Sequence, residues 1–392
     1  MFNHYNLFKS KNLTFLMRVA DYIINRIGDE GIKEVFEMYG GACGGLTDAF
    51  TKTKKTRYIS FLHEQAAGFA AEGYAKISGK PGAVITTSGP GAQNLVTPIA
   101  NCFYDSIPCI FFTGQAQTEF LRPHNQIRQV GFQETPICDI VAPIIKYAKM
   151  VTDPGDIRFD LEKALFMAQS DRPGPVLLDI PADIQEKEID PEKLLSFDSI
   201  AFQTKYDSPS IDQKIDEFLF DLRKAQRPLV LIGGGVRLAG ALEELAEFES
   251  RFRMPIVPTW NAIDAVTSDS PFYGGRVGVC GGKGRNFAIQ NSDLLLILGS
   301  RLSRRIPGGR VNDFAREAKK YMVEIDPYSL KTQVASIDVK ILSDAKLFLQ
   351  RLLLKSRKQS LPDFSKWNER VFHWRDKSDP VTKECLSEDS NK

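Results

Sequence analysis

The sequence predicts an α/β protein built from two doubly wound parallel-sheet domains. Two observations carry that expectation. Short apolar runs of strand length alternate with longer amphipathic stretches, the pattern of helices layered on a parallel sheet. The chain has 392 residues, 43% hydrophobic and 26% charged, an ordinary globular composition with enough length for two or three cored domains.

Taken in order, residues 1–13 are polar and read as a leader. The first domain spans 14–185. Its strand candidates are 34–36, 57–61, 83–87, 109–113 and 176–180, the last set between Arg-Pro-Gly-Pro and Ile-Pro, both chain breakers. A helix of small residues opens at Glu64, and another follows the turn Thr87-Ser88-Gly89-Pro90-Gly91. Pro98 falls inside that second helix. An interior proline costs about 3 kcal/mol, so the helix starts near Thr97 or is kinked.

Residues 186–211 are polar, lack periodicity and read as a linker. The second domain spans 212–355, with strands at 229–232, 256–258, 294–298, 322–325 and 339–341. Gly233, Gly234 and Gly235 make a tight strand-to-helix turn, and 242–252 is helical. Residues 356–392 read as a polar tail. Trp367 and Trp374, seven apart, anchor one helical face of it to the body.

The totals exclude several function classes. Lys plus Arg number 51 against 49 Asp plus Glu, which gives no electrostatic reason to expect nucleic acid or an anionic membrane as partner. Six cysteines form no CxxC pair and only four histidines are present, so neither a structural zinc site nor any other metal site is expected; the cysteines read as reduced thiols of a cytoplasmic protein. No run of about 20 apolar residues and no secretion signal occurs, so no membrane span is expected.

The chemistry concentrates between His63 and Gln115. Glu64 is a lone carboxylate at a helix start, followed by Ala66, Ala67, Gly68, Ala70, Ala71 and Gly73, a helix slim enough for close packing against a partner subunit. The Ser-Gly-Pro-Gly turn lets backbone approach a ligand, because glycine has no Cβ to clash. Asn94 and Gln115 offer polar groups at neighbouring element ends. Singly these features are bland: a glutamate at a helix start is usually a favourable charge at the dipole's positive end, and the turn is usually only a turn. Their joint occurrence, in this order, points to a site. His63 reads as structural.

Together these pieces resemble the pyrimidine-binding domain of thiamine diphosphate (ThDP) enzymes of the acetolactate synthase large-subunit kind. The likeness runs from about residue 15 to 354. It continues through Phe132-Gln133-Glu134, Lys146 and Arg172-Pro173-Gly174-Pro175, in a manner similar to a branch found with surface-sugar biosynthesis. The resemblance implies that Glu64 hydrogen-bonds the pyrimidine ring nitrogen and switches the cofactor on. It implies cofactor contacts from Gly40, Gly41, Thr87, Pro90, Asn94 and Gln115. Gln133, as a catalytic residue, and Phe132 would approach the substrate side, with Lys146 near the same region. The implied reaction takes a small 2-keto acid such as pyruvate and transfers a two-carbon unit to a carbonyl acceptor, as in branched-chain amino acid synthesis. A homodimer or higher homo-oligomer is implied as well.

Three departures matter. The family's Pro-Gly-Gly-Ala is Tyr39-Gly40-Gly41-Ala42 here. Where the family's flavin-binding stretch carries two acids, this chain reads Gly299-Ser300-Arg301-Leu302-Ser303-Arg304-Arg305, and Gly233–Gly235 lacks the spaced GxGxxG fingerprint, so bound FAD stays an open alternative to a purely structural central domain. The Gly-Asp-Gly signature of the Mg²⁺- and diphosphate-binding third domain is absent. The chain is therefore expected to be either part of a carboligase whose diphosphate domain is a separate subunit, or a non-catalytic or regulatory subunit paired with a complete homologue.

Overall fold

The structure, a computed structural model, describes residues 16–124, 126–278 and 283–378. The chain divides into two compact units, Met1–Gln203 and Thr204–Lys392, with the division inside the expected linker. The expected leader lies outside the described residues.

The first unit runs β1 (Met17–Arg18), α1 (Val19–Asp29), β2 (Glu34–Met38), α2 (Gly44–Ala49), β3 (Arg57–Ser60), α3 (Glu64–Ser78), β4 (Gly82–Thr86) and α4 (Pro90–Gln93). It continues with α5 (Val96–Asp105), β5 (Cys109–Gln115), α6 (Ile137–Val141), β6 (Tyr147–Met150), α7 (Ile157–Gln169), β7 (Pro175–Pro181), α8 (Ala182–Gln185) and β8 (Glu188–Ile189). Six strands form one parallel sheet in the order β3-β2-β4-β5-β7-β6, and β1 pairs antiparallel with β8. Every residue of β4, β5 and β7 is buried, as expected of central strands covered on both faces.

Helix α1 buries Val19, Ala20, Ile23, Ile24 and Ile27, an i, i+4 stripe that seats it on the sheet. Pro98 is the third residue of α5, where its missing N–H has no intrahelical partner to lose; the helix starts just before it instead of kinking. The proline packs against α3: a Cβ on Gly68 would stand 2.5 Å from Pro98 Cγ. The slim helix is therefore used partly within the unit, through Ala67, Gly68 and Ala71. Gly73 has nothing within 4 Å of a built Cβ.

The second unit runs α9 (Ser208–Leu222), β9 (Pro228–Ile232), α10 (Gly235–Leu238), α11 (Leu242–Phe252), β10 (Ile256–Pro258), α12 (Lys283–Asn291) and β11 (Leu294–Leu298). It ends with β12 (Lys319–Glu324), α13 (Pro327–Lys331), β13 (Val339–Leu342), α14 (Ala345–Ser356) and α15 (Ser365–Lys377). The five strands are parallel in the order β10-β9-β11-β12-β13. One face of the sheet packs on Phe218, Phe248 and Phe348, the other on Ala288, Trp367 and Val371.

Helix α15 belongs to this core, held by the face that carries Trp367 and Trp374. Trp367 is 4% exposed and its indole Nε1–H donates to the Pro228 carbonyl at 2.8 Å. Trp374 meets it edge-on, ring centroids 5.8 Å apart. The seven-residue spacing did place both rings on the buried side, and the residues around them, Lys366, Glu369, Arg370 and Arg375, made the segment look solvated.

Candidate functional site

Parallel α/β sheets bind ligands beyond the strands' carboxyl ends, where the strand order reverses. In the first unit that place lies between β2 and β4. The segment after β2 holds Tyr39, Gly40 and Gly41, and the segment after β4 holds the turn Thr87 to Gly91. The neighbouring β3 leads directly to Glu64 at the start of α3.

These segments interlock around Thr87. Its hydroxyl accepts from the Ala42 amide at 3.2 Å. A Cβ on Gly40 would stand 2.5 Å from Thr87 Cβ, and one on Gly91 would stand 2.7 Å from Thr87 Cγ2 and 3.3 Å from Glu64 Oε1. Only glycine permits both approaches. The other carboxylate oxygen of Glu64 accepts from Asn94 Nδ2 at 2.9 Å. Gly40, Thr87, Gly91, Glu64 and Asn94 thus form one constellation, with Glu64 half-buried at the positive end of a 15-residue helix. Pro90 opens α4, and Gly41 is exposed with clear space above it. His63 caps α3, its Nδ1 accepting from the Gln65 amide at 3.1 Å, the structural role expected of it.

Gln133 joins the same region from the β5–α6 connection. It sits at φ +57°, the left-handed region that costs a non-glycine residue 1–2 kcal/mol or so. Its backbone presses on Gly89, itself at φ +58°: a Cβ there would lie 2.7 Å from Gln133 Cβ and 2.9 Å from its carbonyl oxygen. Phe132 beside it is 86% exposed.

Two sequence-derived residues are placed differently. Gln115 ends β5 as expected, yet it is 1% exposed and its amide is committed inward. Its Nε2 donates to Asp179 Oδ2 at 2.9 Å and to the Thr135 carbonyl at 2.8 Å, while its Oε1 accepts from the Ala116 amide at 2.9 Å. It braces the wall instead of facing a ligand, because the acid on the adjacent strand β7 turns it inward. Lys146 stands at the amino end of β6, the sheet edge opposite to these loops, and its Nζ donates to the Ser170 carbonyl at 2.7 Å. Burial lowers its pKa to about 8. Within one chain it is not brought together with Glu64.

The sequence reading missed two buried acids. Asp179 is fully buried, held by the Thr113 hydroxyl at 2.6 Å and by Gln115, and burial drives its pKa up to about 7 against the pull of those two donors. Glu37 in β2 is 1% exposed; the Thr47 hydroxyl donates to one oxygen while the other has no partner, and burial raises its pKa. The available signal was an acid inside an apolar strand, as in VLLDIP and EVFEM.

Elsewhere, a basic hollow of about 480 Å³ lined by Lys33, Lys54, Lys55 and Arg57 lies at the amino ends of β2 and β3, away from the loops above. In the second unit the glycine turn packs on the segment that follows β11. The Gly233 and Gly235 amides donate to the carbonyls of Leu298 and Gly299 at 2.8 and 3.0 Å. A Cβ on Gly235 would stand 2.8 Å from Gly299 Cα, so the two backbones meet closely and only glycine fits. Among the described residues there is no group of three or more His, Cys, Asp or Glu placed to hold a metal, and no helix is long and apolar enough to cross a membrane.

Comparison with known proteins joins these observations. Residues 17–140 match the family described as "Thiamine pyrophosphate enzyme, N-terminal TPP binding domain", and residues 215–352 match its central domain. The chain is 35% identical over 372 residues to a probable acetolactate synthase large subunit of Methanocaldococcus jannaschii, covering 93% of this chain and 60% of that protein. It is 36% identical over 360 residues to the acetolactate synthase large subunit of Corynebacterium glutamicum, covering 90% and 55%. It is likewise 36% identical over 358 residues to a probable chloroplastic acetolactate synthase of Oryza sativa, covering 90% and 52%. The chain spans about half the length of the curated relatives it matches.

Proposed function

This chain belongs to the thiamine pyrophosphate enzyme family, and from that premise we propose that it provides the pyrimidine-binding half of a ThDP-dependent carboligase of the acetolactate synthase kind. The reaction is decarboxylation of pyruvate or a related 2-keto acid and transfer of the two-carbon unit to a carbonyl acceptor. The observation that supports this most is the carboxylate of Glu64, fixed by Asn94 beside a turn that a Cβ on Gly91 would obstruct.

The residues present fit an aminopyrimidine. Glycines at 40 and 91 let the backbone close on Thr87, Glu64 Oε1 borders the same turn, and Gly41 keeps clear space beside it. Bound ThDP supplies a nucleophilic carbon and an electron sink for decarboxylation, the hard chemistry of the reaction. The chain's own part is positioning and proton handling. Glu64 accepts a hydrogen bond from a protonated ring nitrogen and so holds a proton there. Asn94 keeps that carboxylate oriented. Gly40, Gly41, Thr87 and Pro90 shape the approach of the ring. Gln133 offers an amide to the acceptor carbonyl, with Phe132 as an apolar flank.

The diphosphate and Mg²⁺ are assigned to residues of a further domain, on this polypeptide or on a partner subunit, because no Gly-Asp-Gly signature occurs in the sequence. No step is routed through flavin, since the Gly233 and Gly235 amides are committed to backbone carbonyls. A homodimer is the expected assembly, with exposed Leu62, Phe69 and Tyr104 near the outward side of α3 and α5. The free thiols Cys43, Cys102, Cys109 and Cys138 suit a reducing cytoplasmic setting.

The missing signature also favours a second reading, a non-catalytic or regulatory subunit that pairs with a complete homologue. Calorimetric titration of ThDP and Mg²⁺ separates the two, into the chain alone and into the chain with a diphosphate-binding partner. Binding in either case supports the carboligase. Absence of binding in both favours the regulatory subunit.

A further inference from the structure

Asp179 is a fully buried acid of the first unit that the chemistry above does not use. It is 0% exposed in a strand otherwise made of Val, Leu, Ile and Pro. An apolar residue would pack there at lower cost, since a buried carboxylate needs its lone pairs satisfied by well-placed donors. The two donors it has come from one neighbouring strand. Thr113, its register partner on β5, donates at 2.6 Å, and Gln115, two residues on, donates at 2.9 Å.

The network continues outward. The same Gln115 nitrogen donates to the Thr135 carbonyl at 2.8 Å. Thr135 is held at two further points: Gln93 Nε2 donates to its hydroxyl at 3.2 Å, and the Ile137 amide donates to its carbonyl at 2.8 Å. Two residues earlier stands Gln133 in its left-handed conformation, pressed on Gly89 of the site turn. A non-glycine residue persists in that conformation only where its surroundings over-determine it. The pinned Thr135 is that surrounding.

We propose that Asp179 is a positioning residue for the carboligase: by orienting Gln115 it fixes the Thr135 carbonyl and so holds Gln133 against the Gly89 turn. This rests on the function proposed above. The raised pKa of Asp179 agrees with its depth but is not needed for the inference.

The test is Asp179→Val in the full chain. Valine suits this apolar strand and removes both acceptors, so the Gln115 amide loses the partner that turns it inward. Asparagine would not serve, because its oxygen can accept from Gln115 while its NH₂ donates to the Thr113 hydroxyl. Hydrogen exchange is expected to speed up roughly tenfold at the amides of 133–135 and 137, the change one lost hydrogen bond of average strength produces, while the amides of β4 keep their protection. In the assembled enzyme the KM for the acceptor rises roughly tenfold while ThDP affinity is unchanged. Exchange at 133–135 and 137 equal to wild type, or a loss spread evenly over the whole unit, overturns the inference. If Asp179→Val does not fold, Gln115→Met removes the donor to Thr135 at similar volume and is judged by the same exchange criterion. Should the wild-type assembly bind no ThDP, the functional reading fails by itself, and the exchange result still decides whether Asp179 positions the Gln133 segment.

Discussion

Gly89→Ala puts the geometry of the site turn under direct load. Gly89 sits at φ +58° and ψ −125°, where an L side chain is strained whatever space surrounds it. That backbone term costs about 1–3 kcal/mol. The new methyl would also stand 2.7 Å from Gln133 Cβ and 2.9 Å from its carbonyl oxygen, distances that force the neighbouring segment to move. Overpacking of this kind costs typically about 1–3 kcal/mol more. The expected total is about 3–4 kcal/mol, toward the middle of the summed range because the Gln133 segment can retreat toward solvent. For a unit of roughly 200 residues this lowers Tm by about 6–15 °C. Gly41→Ala is the paired control: nothing lies within 4 Å of a Cβ there, so its Tm should stay within about 2 °C of wild type. Differential scanning calorimetry of the three proteins reads the result. Equal midpoints for Gly89→Ala and Gly41→Ala would refute the packing of Gln133 on the turn.

Other expectations follow from the same contacts. Asn94→Ala removes the 2.9 Å donor to Glu64 from an exposed helix end; ThDP affinity of the assembly should fall roughly tenfold with stability unchanged, and an unaltered Kd counts against the orienting role. Burial raises Asp179 to about 7, so between pH 4 and 7 the folded chain holds a proton that the unfolded chain has released, and stability falls as pH rises through that window. The upper bound is about 4 kcal/mol, from roughly three pKa units at 1.36 kcal/mol each. Denaturant unfolding of wild type against Asp179→Asn at pH 5 and pH 8 measures it, and a difference that does not change with pH contradicts the buried charge. A bulky residue at Gly73, where α3 is open, should leave the monomer folded and weaken the expected dimer in sedimentation; an unchanged dimer removes that face from the interface.

The fold was legible where physics is local. Strands β10 and β11 could be read to the residue, because apolar runs end abruptly at Thr259, Asp293 and Gly299. Strand β6 was missed: it is four residues long, partly exposed and interrupted by Lys149, so neither alternation nor a continuous apolar run marks it. The pairing of β1 with β8 joins two-residue strands far apart in sequence and leaves no periodic trace. Glu64, Thr87, Asn94 and the glycines at 40 and 91 were readable as a group because a turn and two helix starts define them. The fate of Gln115 was not, since it depends on Asp179, 64 residues away on another strand. Long-range hydrogen bonding between buried polar groups is what single-chain pattern reading cannot reach, and it is also what separates a wall residue from a ligand contact here.

The central claim is that Glu64 handles the proton that activates the cofactor. Its most direct measurement is the rate at which bound ThDP exchanges its thiazolium C2 proton with D₂O, followed by quenched-flow NMR on the assembled enzyme with Glu64 and with Glu64→Gln. Glutamine keeps the Asn94 contact but cannot carry the charge that holds a protonated ring nitrogen. The account predicts exchange slowed by roughly 100-fold or more, the scale of one general acid–base contribution, with ThDP still bound. Exchange at the wild-type rate in the glutamine variant contradicts it.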